Sequence, residues 1–229
     1  MTLLQVTTDA NDLATQAAVS NNDMSLWELA LSGGITMIPL ALLLILAIYL
    51  IIERYLVLRK AAVEDASFMS RVKDYIVDGK IDSAYNLCDQ QNTPSARMIK
   101  KGISRLGRPM QDVLVAIENV GNMEIAELEK GLGWLATISG GAPMLGFFGT
   151  VIGMVQAFAN MASQGDNTIV LSDLAGGIYT AMVTTVAGLF VGIIAYFGYN
   201  YLTMKVDKIM HNLEAKNVAF MDMLNEPAK

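Results

Sequence analysis

Three long apolar runs alternate with charged segments along the chain. They cover residues 29–52, residues 131–163 and residues 174–204, and none of them contains Asp, Glu, Lys, Arg or His. A helix needs about 20 consecutive apolar residues to cross a bilayer. Soluble cores do not need uncharged runs of this length, so the pattern predicts three transmembrane helices.

The segment between the first two runs has the pattern of shorter helices. Apolar residues recur at helical spacing, and Gly79, Pro94, Gly107 and Pro109 interrupt them. The pattern predicts helices over residues 68–76, 81–90, 95–105 and 110–132, with the last one continuing into the second span. The predicted fold is therefore an all-α integral membrane protein with long helical extensions.

Composition and charge support a membrane protein and orient it. Hydrophobic residues make up 53% of the chain and charged residues only 17%, which argues against a soluble enzyme and against disorder. All 16 Lys and Arg residues lie in residues 54–130 and 205–229. By the positive-inside rule, the N-terminus is outside and the C-terminus inside. The external parts are then residues 1–28 and the loop 164–173, and the cytoplasmic parts are the helical region 53–130 and the C-terminal helix or tail 205–229. The cytoplasmic region is charge-balanced, which gives no reason to expect nucleic-acid binding.

The chemistry available inside the spans is that of hydroxyl groups. Ionisable residues inside a membrane mark ion pathways, and this chain has none there. Thr150 in the second span and Thr185 in the third flank the connecting loop symmetrically, so an antiparallel hairpin places both hydroxyls at one depth. Each hydroxyl can donate and accept a hydrogen bond, which is what a proton pathway requires.

Small residues in the same spans have a simpler explanation. Thr180, Thr184, Gly188 and Gly192 recur every four residues, and Gly149 and Gly153 form a GxxxG pattern. Such stripes usually allow close helix packing, and a single intramembrane Thr often bonds its own helix. We expect packing or kinking roles for Pro143, Gly146, Gly149, Gly153, Gly188 and Gly192.

Enzymatic and metal chemistry lack candidate residues. The chain has a single Cys and a single His, and it contains no P-loop, nucleophile elbow or HExxH pattern. We therefore expect a protein that is not an enzyme and that has no metal site and no cofactor.

Three motifs resemble those of the MotA/TolQ/ExbB proton-channel family. Residues 145–154 (LGFFGTVIGM), which follow Ala142-Pro143, resemble its second-span signature, and residues 181–189 (AMVTTVAGL) resemble its third-span signature. Residues 52–59 (IERYLVLR) look like the family's motif at the inner boundary. Three spans and the chain length favour the ExbB-like or TolQ-like branch.

The resemblance implies a proton-driven energiser in the bacterial inner membrane. It implies a homopentamer around a small single-span partner of the ExbD or TolR type, whose intramembrane Asp receives the proton. Thr150 and Thr185 are then the pore-lining hydroxyls, with Thr184 adjacent. The implied function is to couple the proton motive force, through a TonB-like protein, to TonB-dependent import across the outer membrane.

Departures from the family pattern leave alternatives open. ExbB-type chains commonly carry a Glu close to the position of Thr180, and no such Glu is present here. The transported ion is expected to be H⁺, with Na⁺ as the alternative. A TolQ-like envelope role, a motility role and a passive membrane scaffold remain as rival functions.

Overall fold

The computed structural model describes residues 33–63, 65, 67–163 and 171–225. The regular structure in these residues is entirely α-helical, which confirms the predicted all-α fold. The seven helices are α1 (Met37–Ala62), α2 (Phe68–Val77), α3 (Ile81–Gln91), α4 (Pro94–Ile103), α5 (Met110–Glu129), α6 (Leu132–Ser163) and α7 (Leu171–Asn225). The predicted external segment 1–28 and most of the predicted loop 164–173 lie outside the described residues.

Three helical stretches are long and apolar enough to cross a membrane. They are α1, the stretch Met110–Ser163 that contains α5 and α6, and Leu174–Asn225 of α7. Their most apolar windows are only 11%, 28% and 39% buried within the chain. Apolar surface on this scale is compatible with lipid or with other subunits, and the prediction of three spans is confirmed.

Helix α1 begins at Met37, and residues 29–32 of the predicted first span lie outside the described residues. Residues 33–36 form a turn in which Gly34 has a φ of 67°, and α1 starts at Met37. A left-handed residue does not continue a right-handed helix, so the apolar residues around Gly34 are not helical. Pro39 lies in the first turn of α1, where its missing N–H has no helical partner to lose.

The predicted continuous helix from Met110 into the second span is wrong. The chain leaves helical geometry at Lys130, which has a ψ of 130°, and Gly131 has a φ of 86°. Periodicity alone does not detect this break, because the apolar pattern continues across it. In the third span, by contrast, the helix is not interrupted. Helix α7 passes the predicted boundary of the span at residue 204 and continues to Asn225.

The described chain divides into two compact units. The first unit consists of residues 33–39, 145–163 and 171–188, and the second consists of residues 40–144 and 189–225, with the same gaps. In the first unit, α6 and α7 approach through small residues, and Ala157 and Ala181 are buried between them.

The second unit has a conventional apolar core. Its largest fully buried side chains include those of Phe68, Ile99, Ile117 and Phe220. A Cβ built on Gly102 of α4 would lie 2.7 Å from both the Ile117 and Phe220 side chains, so α4, α5 and α7 meet tightly there.

Polar contacts also connect helices of the second unit. The Arg97 guanidinium of α4 donates to both carboxylate oxygens of Glu124 of α5, at 2.6 and 2.5 Å. Lys100 forms an ion pair with Asp89 of α3. The side chain of Glu124 is only 15% exposed. Its ion pair with Arg97 therefore contributes more to stability than an ion pair of a fully solvated carboxylate would.

Candidate functional site

The hydroxyls of Thr150 and Thr185 lie together in the first unit. Thr185 Oγ1 donates to the Gly146 carbonyl oxygen at 3.3 Å, and Thr150 Oγ1 donates to the Phe147 carbonyl oxygen at 2.5 Å. These acceptors are consecutive carbonyls of α6, so the hydroxyls lie at one level along that helix. Both residues are partly exposed, and each hydroxyl oxygen keeps acceptor capacity after donating its proton.

Thr184 has a different environment from its neighbour Thr185. It is only 1% exposed, and its Oγ1 donates to the Ala181 carbonyl at 2.7 Å. The same hydroxyl lies 3.5 Å from the Gly146 carbonyl oxygen. These are the contacts of a side chain enclosed between helices.

Glycines set the distance between α6 and α7 in the first unit. A Cβ built on Gly146 would lie 2.9 Å from the Thr184 carbonyl oxygen and 3.0 Å from the Gly188 Cα. One turn further, a Cβ on Gly149 would lie 2.7 Å from Thr184 Oγ1, and one on Gly153 would lie 2.9 Å from the Ala181 Cβ. A Cβ essentially never comes within 3.0 Å of a heavy atom of a residue that is not its chain neighbour, so a larger residue at these glycines forces the facing atoms of α7 to shift.

Pro143 and Gly192 form a similar close contact within the second unit. A Cβ on Gly192 would lie 2.5 Å from the Pro143 Cγ. α6 continues through Pro143, although proline cannot donate the usual bond to the Ser139 carbonyl. The proline ring thus occupies space that only a glycine on α7 leaves free.

Thr36 is a site residue that sequence reasoning missed. It precedes α1, and its Oγ1 donates to the Gly33 carbonyl at 3.1 Å. A Cβ on Gly149 would lie 3.2 Å from this hydroxyl oxygen, so Gly149 is enclosed by hydroxyls from Thr36 and Thr184. The available signal was a Thr within the first apolar run, next to the Gly33-Gly34 turn.

Charge and metal ligands are not part of this site. Among the residues that the structure describes, no three His, Cys, Asp or Glu side chains are grouped to hold a metal ion. The hydroxyls and carbonyls can solvate a proton or hydrogen-bond a neutral or charged carboxyl group, but they cannot store a proton at neutral pH. The described residues of this site therefore offer hydrogen-bonding groups but no titratable side chain.

A family model matches the part of the chain that contains most of this site. The MotA/TolQ/ExbB proton channel family matches residues 90–215, which include Thr150, Thr184 and Thr185 but not Thr36. This is a family of proton channels and does not constitute an enzyme class.

Individual relatives carry the names of two branches. The chain is 31% identical over 188 residues to a biopolymer transport protein ExbB homolog of Methanothermobacter thermautotrophicus, covering 82% of this chain and 66% of that protein. It is 35% identical over 116 residues to the biopolymer transport protein ExbB of Neisseria gonorrhoeae, covering 47% and 52% of the two chains. It is 41% identical over 88 residues to the Tol-Pal system protein TolQ of Haemophilus influenzae, covering 38% of each. The chain thus spans between 38% and 66% of the lengths of these relatives. This membrane protein belongs to the MotA/TolQ/ExbB proton channel family.

Proposed function

We propose that this protein is the channel subunit of a proton-driven energiser in a bacterial inner membrane. The observation that carries the proposal is that the Thr150 and Thr185 hydroxyls bond to consecutive carbonyls of one helix. Two partly exposed hydroxyls at one level can solvate a proton, or the group that carries it, within an otherwise apolar span. The names of the relatives support a role in transport or envelope systems.

The proton acceptor in this proposal is a carboxylate on a second protein. The three uncharged runs, residues 29–52, 131–163 and 174–204, contain no acid, so we infer that a single-span partner of the ExbD or TolR type supplies an intramembrane Asp. When their O–H groups turn from the α6 carbonyls to that carboxylate, Thr150 and Thr185 donate hydrogen bonds to it and lower the cost of ionising it in the membrane. Thr184, enclosed between helices, holds the adjacent Thr185 in place.

The assembly proposed is a homopentamer around that partner. Large apolar side chains of the spans point outward, for example Phe147 at 66% exposure and Val186 at 69%. Such surface must be covered by lipid, by neighbouring subunits or by the partner. One proton crossing 100 mV provides about 2.3 kcal/mol, enough to bias a packed interface between two arrangements.

The flux of protons through the reconstituted complex tests this function. Thr150→Val and Thr185→Val remove the hydroxyl and keep the side-chain shape. Losing a hydrogen bond to a charged group costs about 1.5–3 kcal/mol, so we expect a roughly ten- to hundred-fold fall in flux. Thr137→Val is the matched control, because the exposed Thr137 only bonds its own helix, at the Gly133 carbonyl. Equal flux in all three variants would contradict the proposal.

The client system is proposed to be TonB-dependent import across the outer membrane. A TolQ-like role in envelope integrity is the close alternative, since relatives of both names match the chain. Deleting the gene in the native host separates the two: loss of iron or vitamin uptake supports import, whereas detergent sensitivity without an uptake defect supports the envelope role. A motility defect alone would contradict both.

A passive scaffold is the second candidate, and one observation favours it. The hydroxyls of Thr150, Thr184 and Thr185 all donate to main-chain carbonyls, which packing alone explains. The scaffold predicts a stable purified particle without a single-span partner and normal growth of the Thr→Val variants. Native mass spectrometry of the purified complex distinguishes the two functions by the presence of a small partner with a membrane Asp.

A further inference from the structure

Within the second unit, α1 and α7 pack against each other near the basic ends of the first and third spans. A Cβ built on Gly198 of α7 would lie 2.5 Å from the Ile51 Cδ1 of α1, so the two helices are in close contact there. The uncharged runs end at residues 52 and 204, within two helical turns of this contact. The next turn of each helix therefore lies where its span ends.

Two tyrosines and a lysine form a cluster on this next turn, which we call the boundary cluster. The rings of Tyr55 on α1 and Tyr201 on α7 are stacked, with their centres 6.3 Å apart. The Lys205 Nζ lies 5.9 Å from the centre of the Tyr55 ring and 5.4 Å from that of the Tyr201 ring. Attraction to two aromatic rings restricts the ammonium group to a position beside two phenols.

The polar groups of the boundary cluster are accessible and lack an acceptor. Tyr55 is 38% exposed, Tyr201 is 45% exposed, and Lys205 is exposed as well. Within the part of the chain that the structure describes, the Lys205 ammonium pairs with no carboxylate and neither phenol forms a hydrogen bond. An ammonium carries three N–H donors and each phenol carries one O–H donor. The cluster thus offers several donors to one ligand that accepts hydrogen bonds.

An exposed apolar strip continues from the boundary cluster toward the middle of the spans. One turn before the tyrosines, Ile52 of α1 is 56% exposed and Phe197 of α7 is 68% exposed. One turn further, Ile48 is 44% exposed and Ile193 is 48% exposed. Residues three or four apart lie on the same face of a helix, so the strip and the cluster share a face of each helix. Donors at the end of a span, followed inward by apolar side chains, match the phosphate and the acyl chains of a phospholipid.

The charge around the boundary cluster favours an anion. Arg59 follows Tyr55 by one turn and Lys208 follows Lys205 by three residues, and both are exposed. Neither of these basic residues forms an ion pair with another described residue. Asp207 lies two positions after Lys205 and therefore on a different face of α7.

We propose that this face of α1 and α7 binds an anionic phospholipid, with the lipid phosphate on the boundary cluster. The Lys205 ammonium pairs with the phosphate, and the Tyr55 and Tyr201 hydroxyls donate hydrogen bonds to its oxygens. The acyl chains lie along the apolar strip. By the positive-inside rule the lipid belongs to the cytoplasmic leaflet, where basic pockets between spans bind anionic headgroups. Lipid binding here is independent of proton conduction.

Native mass spectrometry of the purified assembly tests the site by the lipids retained from an equimolar mixture of phosphatidylglycerol and phosphatidylcholine. We expect preferential retention of phosphatidylglycerol, since both lipids carry a phosphate but only phosphatidylglycerol has a net negative charge. The combined Tyr55→Phe and Tyr201→Phe variant removes both hydroxyls and keeps the stacked rings under the ammonium. It should weaken phosphatidylglycerol binding about ten-fold, and Lys205→Met should weaken it about five-fold.

Tyr196→Phe and Lys60→Met are the matched controls and should retain phosphatidylglycerol as the unsubstituted assembly does. Tyr196 is 56% exposed on α7, and Lys60 is exposed at the end of α1. Each lies five residues from a tyrosine of the cluster, Tyr201 or Tyr55, and therefore on another face of its helix.

Three results would overturn the proposal. Equal losses in Lys205→Met and Lys60→Met, or equal retention of the two lipids, would reduce the site to the general attraction of basic residues for the membrane. Displacement of phosphatidylglycerol by millimolar glycerol 3-phosphate would indicate a site for soluble phosphates. An unsubstituted assembly that retains neither lipid would mean that another protein chain covers this face.

Discussion

The interactions inside the first unit differ from those inside the second unit. In the first unit, α6 and α7 meet through Gly146, Gly149 and Gly153, and the side chains between them are Ala and Thr. In the second unit, Phe, Ile, Leu and Val side chains fill the core, and Arg97 and Glu124 add a bidentate ion pair. Close backbone contact suits a lipid environment, where the hydrophobic effect does not drive helices together.

The two units should therefore be sensitive to different kinds of substitution. At the α6–α7 contact of the first unit, Gly146, Gly149 and Gly153 leave almost no room for added atoms, so this contact is sensitive to larger residues. The core of the second unit depends on buried apolar volume, so this core is sensitive to smaller side chains. The hydroxyls proposed for proton passage lie in the unit whose geometry is set by main-chain atoms.

Phe220→Ala should have the largest effect on stability. Phe220 is fully buried, and its ring lies against Gly102 of α4. Removing such a ring costs about 3–5 kcal/mol, and the unfolding midpoint in detergent reports the loss. Val218→Ala on the same helix is the control, since Val218 is 59% exposed. Equal midpoints for the two variants would show that the second unit is not held by its core.

Gly146→Ala tests the opposite sensitivity of the first unit. The added Cβ meets main-chain atoms of Thr184 and Gly188 and forces α6 and α7 apart, at a cost of about 1–3 kcal/mol. Gly140→Ala is the matched control on the same helix, because its Cβ has no neighbour within 4 Å. Thermal unfolding of both variants measures the difference. A harmless Gly146→Ala substitution would contradict the close-contact description.

Glu124→Gln should have a smaller effect on the second unit. The substitution removes the charge that the Arg97 guanidinium binds through two hydrogen bonds. Arg97 is 41% exposed, so solvent screens part of the attraction and we expect a loss of about 1 kcal/mol. High salt should reduce the difference in unfolding free energy between the unsubstituted protein and Glu124→Gln, because salt screens the ion pair. Glu127→Gln, at a 71% exposed carboxylate, should leave stability unchanged.

The reactivity of Cys88 tests the core of the second unit without a mutation, and the expected effect on stability is the smallest of the four. Burial raises the pKa of the Cys88 thiol to about 11, so the folded protein holds it neutral at pH 8. The thiolate fraction is then about a hundred-fold lower than in an unfolded chain, and labelling by iodoacetamide should slow accordingly. Because the folded pKa is the higher one, stability is unaffected below about pH 8.5 and falls as the pH rises toward 11. Labelling at the unfolded rate would mean that the Cys88 region of the core opens readily.

The sequence was sufficient for the parts of the fold that depend on hydrophobicity alone. Three uncharged runs identified the spans, and Gly79 and Pro94 marked the ends of short helices correctly. It was insufficient at Gly131, because a glycine within a continuing apolar pattern does not reveal a positive φ. The turn at residues 33–36, inside the first apolar run, was not predicted for the same reason, since Gly34 has a positive φ.

Some features of the candidate site could likewise be predicted from the sequence and others could not. Equal levels for Thr150 and Thr185 followed from counting residues around a hairpin, and the hydrogen bonds to Gly146 and Phe147 agree with that count. The enclosure of Thr184 and the contact of Thr36 with Gly149 depend on which way the helices are rotated, and four-residue periodicity does not determine that rotation.

In the proposed function, the Thr150 and Thr185 hydroxyls act as one site in a single proton pathway. A double-mutant cycle on proton flux tests it directly, with Thr150→Val, Thr185→Val and the combined variant compared in the same liposomes. Groups that serve one pathway are not additive, so the double variant should be no slower than the slower single variant. Losses that multiply, or flux in all three variants equal to that of Thr137→Val, would contradict the claim.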